Sequence, residues 1–164
     1  MSVGPFTTAV PARWHVRVVH THGSTLDFIS TSGARVSDLG LPTDDSVGLT
    51  AGETSVTALR AAGHGAVPTD PLALLPRLAG VPTGATGVRA LVAPRRVSVA
   101  GSAAADAVLT YRTHGRVFTQ ENVVTRRGSA VVFFEADASP RQRTDAARDL
   151  SVLTTHWQWQ PPTA

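Results

Sequence analysis

Residues 105–135 read ADAVLTYRTHGRVFTQENVVTRRGSAVVFFE, and this stretch decides the fold class. Two turn signals, Thr113-His114-Gly115 and Arg126-Arg127-Gly128, divide it into three runs of strand-forming residues. The runs are Ala105 to Thr113, Val117 to Thr125 and Ala130 to Glu135. Because short turns join antiparallel strands, the pattern predicts an antiparallel meander.

A helix is predicted directly after the meander. Ser139-Pro140-Arg141-Gln142 has the order of a capping box, with an N-cap serine, proline at the first helical position and glutamine at the third. One apolar face is then predicted from four residues at helical spacing, Ala146, Leu150, Leu153 and Trp157. A second helix should begin at Thr69-Asp70-Pro71, be limited to about two turns by Pro76, and end at Gly80.

The rest of the chain is less regular. A hairpin is expected from Trp14 to His20 and Leu26 to Ser30, and an edge strand from Phe6 to Val10, between two prolines. Two short strands are expected at Val88 to Ala93 and Arg96 to Ala100. The Gly- and Pro-rich region 40–87 is predicted to be loops around short elements. For Thr54 to Ala62, helix and strand both remain open.

These elements predict one α+β domain spanning residues 1–164. Its centre is an antiparallel sheet of about six to seven strands, with the C-terminal helix and one or two short helices packed on one side. The other sheet face would carry Gln120 and Asn122. We therefore predict those two residues as contacts for a binding partner, against a plain solvated face as the alternative.

Composition limits the class of partner. There is no cysteine, and all 15 basic residues are arginine, with a formal net charge of only +3. The arginines are scattered, so nucleic acid is not a predicted partner. No apolar stretch approaches the roughly 20 residues of a membrane span, and no signal-peptide pattern precedes Val10. The expected location is the cytoplasm, without membrane insertion.

No motif carries a specific chemistry. His20 and His22 would share one strand face and suit zinc, but no third ligand is apparent. There is no Gly-x-Ser-x-Gly elbow, and Gly80 to Gly87 lacks the Lys-Ser/Thr ending of a phosphate loop. We therefore predict no catalytic residue, no metal site and no cofactor. A metal-dependent hydrolase using the histidines is the least favoured alternative.

The chain also resembles the PsbP-like superfamily, with its LpqN-type and Eag-type chaperone relatives, over about half its length. The residues concerned are Val10 to Trp14, Ala107 to Tyr111, Thr119 to Val124, Ala130 to Ala136 and Trp157-Gln158-Trp159. The resemblance implies a non-catalytic adaptor, assembly factor or chaperone for another protein, linked in one branch to secretion. Since the lipobox cysteine of the lipoprotein branch is absent, the cytoplasmic chaperone branch fits better.

Two hypotheses about binding follow. For a protein partner, Trp159 is the best single contact, because it leaves the helical phase of Trp157 and tryptophan favours binding hot spots. For a small-ligand carrier, a pocket between sheet and helix would be lined by Phe118, Phe133, Phe134 and Trp157. The open edges of such a sheet also favour a homodimer.

Overall fold

The computed structural model describes residues 2–3, 6–9, 14–21, 24–31 and 47–159. The predicted antiparallel sheet of about six to seven strands is confirmed, and it has seven strands among these residues. Its strands are β3 (Trp14–Thr21), β4 (Ser24–Thr31), β5 (Gly48–Ser55), β6 (Thr86–Val99), β7 (Ser102–Thr113), β8 (Arg116–Arg127) and β9 (Ala130–Ala138). Their order is β3-β4-β5-β9-β8-β7-β6, so β6 forms one edge. Both the N-terminal hairpin and the meander are confirmed.

Three further strands, three α-helices and two short helical turns complete the described structure. A small sheet joins β1 (Ser2–Val3), β2 (Phe6–Thr7) and β10 (Gln158–Trp159). The helices are α1 (Val56–Leu59), which continues into a helical turn over Arg60–His64, then α2 (Pro71–Leu78) and α3 (Arg143–Thr155). The predicted short helix is confirmed as α2, with Asp70 as its N-cap.

The helix α3 covers one face of the sheet. Alternate residues of a strand point to opposite faces, and Phe134 and Ala136 of β9 meet Leu150 and Leu153 of α3 in one buried cluster. Trp157, just beyond the helix, packs edge-on against Phe134 with ring centroids 4.8 Å apart. The α3 side therefore holds the larger part of the apolar core.

The short helices cover the opposite face, so the prediction that all helices lie on one side is wrong. Leu74 and Leu75 of α2 pack with Ala105, Val124 and Val131. Val124 and Val131 are neighbours of Val123 and Val132, which face α3. Since the apolar residues of β8 and β9 come in adjacent pairs, both faces of these strands require a covering layer.

The region 40–87 was expected to consist of loops around short elements, yet it supplies β5, which lies between β4 and β9. The sequence of β5, GLTAGETS, has no alternation of apolar and polar residues. Small residues suffice there because the strand is packed between two neighbours and is mostly buried. For Thr54 to Ala62, strand and helix were both left open, and both occur. The segment starts with the end of β5 and continues as helix from Val56.

Two local predictions also need correction. The two short strands proposed between Val88 and Ala100 are one strand, β6, interrupted by register shifts on either side of Val92. The capping box at α3 does not form, since neither Ser139 Oγ nor Gln142 Oε1 makes a hydrogen bond. The turn Pro140–Gln142 is a 3₁₀ helix, and it moves the N-cap of α3 to Gln142.

Candidate functional site

The edge strand β6 is the least covered strand of the sheet for which side chains are described. It runs for 14 residues, and β7 is its one pairing partner among the strands that the structure describes. Val88 is 47% exposed and Leu91 is 44% exposed, and Val117 of β8 is 37% exposed nearby. These three are the exposed large hydrophobic side chains in the described part of the chain. An open edge with apolar side chains offers both backbone hydrogen bonds and apolar contact area.

Two of the three arginines of β6 already have acidic partners. Arg95 makes two hydrogen bonds of 2.8 Å to the carboxylate of Asp106, which is buried. Arg96 binds both carboxylate oxygens of Asp70 at 2.7 and 2.9 Å, and the guanidinium of Arg96 holds the pKa of Asp70 below its usual value. These pairs tie the C-terminal half of β6 to its surroundings.

Arg89 and Arg112 differ, because neither forms an ion pair or side-chain hydrogen bond with the described residues. Both are exposed. They border a shallow depression of about 410 Å³ lined by Gly87, Val88, Arg89, Thr110, Tyr111, Arg112 and Val117. Between Gly80 and Gln120 the sequence has one acidic residue, Asp106, which is held by Arg95. The depression is therefore positively charged with partly apolar walls.

Trp159 lies at the closing segment of the chain and is partly buried. Its Nε1 donates to Ser102 Oγ at 3.1 Å, and its ring packs edge-on against Trp157 with centroids 5.7 Å apart. The guanidinium of Arg127 lies 5.8 Å from the ring centroid, within cation–π range. Trp159 thus joins β10 to the start of β7, while part of its side chain stays accessible.

Gln120 and Asn122 lie inside the protein. They are 1% and 3% exposed, and Asn122 Nδ2 donates to Gln120 Oε1 at 3.1 Å. A partner could reach them only if the covering layer moved. The prediction of an open face was based on all helices lying on one side of the sheet. In the structure, α1 and α2 cover the face that carries these two residues.

The two amides belong to a buried polar cluster with two carboxyl groups. Glu135 and Asp137 alternate along β9, opposite Asn122 and Gln120 in the β8 register. Burial and the neighbouring Asp137 carboxylate raise the pKa of Glu135 well above its usual value. Burial raises the pKa of Asp137 to about 6, against the lowering effect of hydrogen bonds from Glu135 and Tyr111. A protonated Glu135 that donates to an ionised Asp137 accounts for both shifts.

Tyr111→Phe tests this cluster. The Tyr111 hydroxyl donates to Asp137 Oδ1 at 2.8 Å and is 1% exposed as a residue. Losing a hydrogen bond to a buried charge should lower the free energy of unfolding by about 1.5–3 kcal/mol. Urea denaturation at pH 7 measures the change. The control repeats Tyr111→Phe in an Asp137→Asn background, where no ionised acceptor remains. There the substitution should lower the free energy of unfolding by less than it does in the wild type. An equal loss in both backgrounds would contradict the hydrogen bond to an ionised Asp137.

The four residues proposed for a ligand pocket are not brought together. Phe134 and Trp157 contact each other on the α3 side. Phe118 stacks on Tyr111 with ring centroids 5.7 Å apart, and Phe133 packs with the α1 and α2 cluster. Phe133 and Phe134 are consecutive residues of one strand, so they point to opposite faces. The carrier hypothesis keeps these residues as predictions, divided between two faces.

The described residues contain no cluster of potential metal ligands. No group of three or more potential metal ligands occurs among the described residues, and the His20/His22 pair lies outside the described side chains. No described helix is long and apolar enough to cross a membrane. Burial raises the pKa of Glu53.

Comparison with known proteins identifies the fold. No protein-family model and no curated protein matches the sequence. Among solved structures, LpqN of Mycobacterium tuberculosis, described as involved in cell envelope biogenesis, superposes with a TM-score of 0.62 at 15% identity, covering 95% of this chain and 83% of LpqN. Cyanobacterial PsbP from Synechocystis gives a TM-score of 0.45 at 9% identity, covering 95% of this chain and 99% of that one. The superposition with LpqN confirms that the chain has the fold expected from its resemblance to the LpqN-type relatives.

Proposed function

We propose that the protein is a non-catalytic adaptor, assembly factor or chaperone, and that another protein docks along the open edge of β6. One observation carries the proposal. Among the described strands, β6 has a pairing partner on one side only, and the three exposed large hydrophobic side chains of the described residues lie on or near it. A partner segment can add a strand to such an edge, so that backbone hydrogen bonds provide affinity and side-chain contacts provide specificity.

The edge also carries features that restrict pairing. Pro94 has no backbone N–H to donate, and the register with β7 shifts three times between Thr86 and Arg95. Prolines, bulges and charges protect native sheet edges from unspecific pairing. We propose that Pro94 and the register shifts restrict which segments can pair with β6. Val88 and Leu91 then provide apolar surface whose burial by a partner stabilises the complex.

Trp159 is the second contact in the proposal. Its ring is partly exposed beside Arg127, and aromatic residues with a nearby arginine are typical of binding hot spots. A cytoplasmic location, a link to secretion and a homodimer remain predictions. Cell fractionation addresses the first, and sedimentation analysis of the purified protein addresses the last.

The docking surface is tested by affinity capture of the tagged protein from its native lysate with mass spectrometry. We expect the wild type to retain one dominant protein. The Val88→Ser/Leu91→Ser variant should retain at least about tenfold less of it, because completing the burial of these two half-exposed side chains contributes roughly 1.5–3 kcal/mol in total. Circular dichroism checks that the variant is folded.

The matched control is Ala61→Ser/Ala62→Ser, which changes two exposed apolar residues of the helical turn Arg60–His64. Its capture should equal that of the wild type. Trp159→Ala completes the set and should weaken capture to a smaller extent. If the edge variant retains the partner fully while Trp159→Ala loses it, the partner docks at the closing segment and the edge proposal is wrong.

A further inference from the structure

We infer, building on the proposed edge docking, that the partner segment is an acidic extended peptide whose carboxylates pair with Arg89 and Arg112. The two arginines are the exposed guanidiniums on this edge that have no acidic partner among the described residues. Arg95 and Arg96, by contrast, already bind Asp106 and Asp70 in two-point contacts. The charge at the N-terminal half of β6 is thus left for a partner to complement.

The strand register places the two arginines on the same face of the sheet. Arg89 pairs with Thr110, and Arg112 lies two residues beyond Thr110 along β7. Side chains at diagonal positions of neighbouring strands lie about 7–8 Å apart at their backbones, within reach of long side chains. A peptide running along β6 also repeats its side chains on one face every two residues. Two acidic residues at alternate positions could therefore meet both guanidiniums.

The depression between the arginines matches the same kind of peptide. Its volume of about 410 Å³ holds a few side chains, and Val88 and Val117 supply apolar wall beside Thr110. No acidic residue lines it. An arginine binds a carboxylate through two parallel hydrogen bonds, so the pairing is directional as well as electrostatic. A segment with acidic residues at alternate positions satisfies the charge and the strand geometry together.

Fluorescence anisotropy with a defined probe tests the inference. The probe is a fluorescein-labelled nine-residue peptide alternating aspartate and valine, compared with one carrying asparagine in place of aspartate. At 50 mM NaCl the acidic peptide should bind at least about tenfold tighter than the neutral one. At 300 mM NaCl the difference should shrink, because salt screens exposed charges.

Arg89→Gln/Arg112→Gln should weaken binding of the acidic peptide about tenfold and leave the neutral peptide unchanged. The control Arg60→Gln/Arg141→Gln removes the same charge from two exposed arginines away from β6, and it should bind both peptides as the wild type does. This control separates local pairing from the effect of net charge.

These experiments distinguish a failure of the acidic pairing from a failure of docking at the β6 edge. If both peptides bind equally and only Val88→Ser/Leu91→Ser weakens them, strand docking stands and the acidic partner is wrong. If neither peptide binds and the purified protein pairs with a second copy through β6, both are wrong. A preference for a lysine-containing peptide, or an equal loss with the control arginine pair, also overturns the inference.

Discussion

Trp157→Ala is expected to lower the free energy of unfolding by about 3–5 kcal/mol, as large-to-small changes of buried aromatic residues do. Trp157 is 1% exposed, and its ring contacts both Phe134 and Trp159 edge-on. The substitution therefore leaves a cavity between α3 and the sheet and removes the support of β10. Urea denaturation followed by circular dichroism measures the loss.

Trp157→Phe is the control, because it keeps an aromatic ring and a smaller cavity. It should cost clearly less than the alanine variant. A loss below about 1 kcal/mol for Trp157→Ala is the size expected of a surface change, and it would show that the α3 side is not the principal core.

The Glu135 and Asp137 pair should make the protein less stable as the pH rises from about 4 through 6. Both carboxyls have raised pKa values in the folded protein, to about 6 for Asp137. Between the unfolded and folded pKa values the native state binds more protons than the unfolded state, so stability falls with increasing pH. For Asp137 alone, a rise of about two pKa units corresponds to about 2–3 kcal/mol.

Other carboxyl groups also have shifted pKa values, some raised and one lowered. Burial raises the pKa of Glu121 and of Glu53, so these groups also make the protein less stable as the pH rises. The pKa of Asp70 is lowered by its hydrogen bond with Arg96, which has the opposite effect on stability. Comparison with a variant isolates the pair. Glu135→Gln keeps an N–H that can donate to Asp137 and removes one titrating group.

Glu135→Gln should equal the wild type near pH 4 and be more stable above pH 7, with a flatter dependence between them. Chemical denaturation at pH 4, 5.5 and 7.5 gives the three points. If the variant keeps the full slope of the wild type, the carboxyl pair is not its source, and the shared-proton arrangement is wrong.

The sequence predicted the sheet well where turns and strands are local. The meander from Ala105 to Glu135 alternates with clear turn signals, so its pairing follows from neighbouring residues. Strand β5 was missed because its glycines and alanines carry no pattern of their own. Its place in the sheet depends on β4 and β9, which are distant in sequence.

The candidate site was harder to predict for a related reason. Gln120 and Asn122 are polar residues on a strand, and their burial depends on α1 and α2 covering that face, together with the polar partners Glu135 and Asp137. The edge position of β6 follows from strand order, which the sequence does not specify. A usable signal was present in the low acidic content from Gly80 to Gln120, where Asp106 is the one acidic residue.

Amide hydrogen exchange of the captured complex is the most direct test of edge docking. If the partner docks at this edge, amides of Thr86–Val99 exchange more slowly with the partner bound, because an added strand occupies the open side of β6. Amides of β8, in the interior of the sheet, should change little. Protection confined to Gln158–Trp159, with β6 unchanged, would contradict edge docking and place the partner at the closing segment.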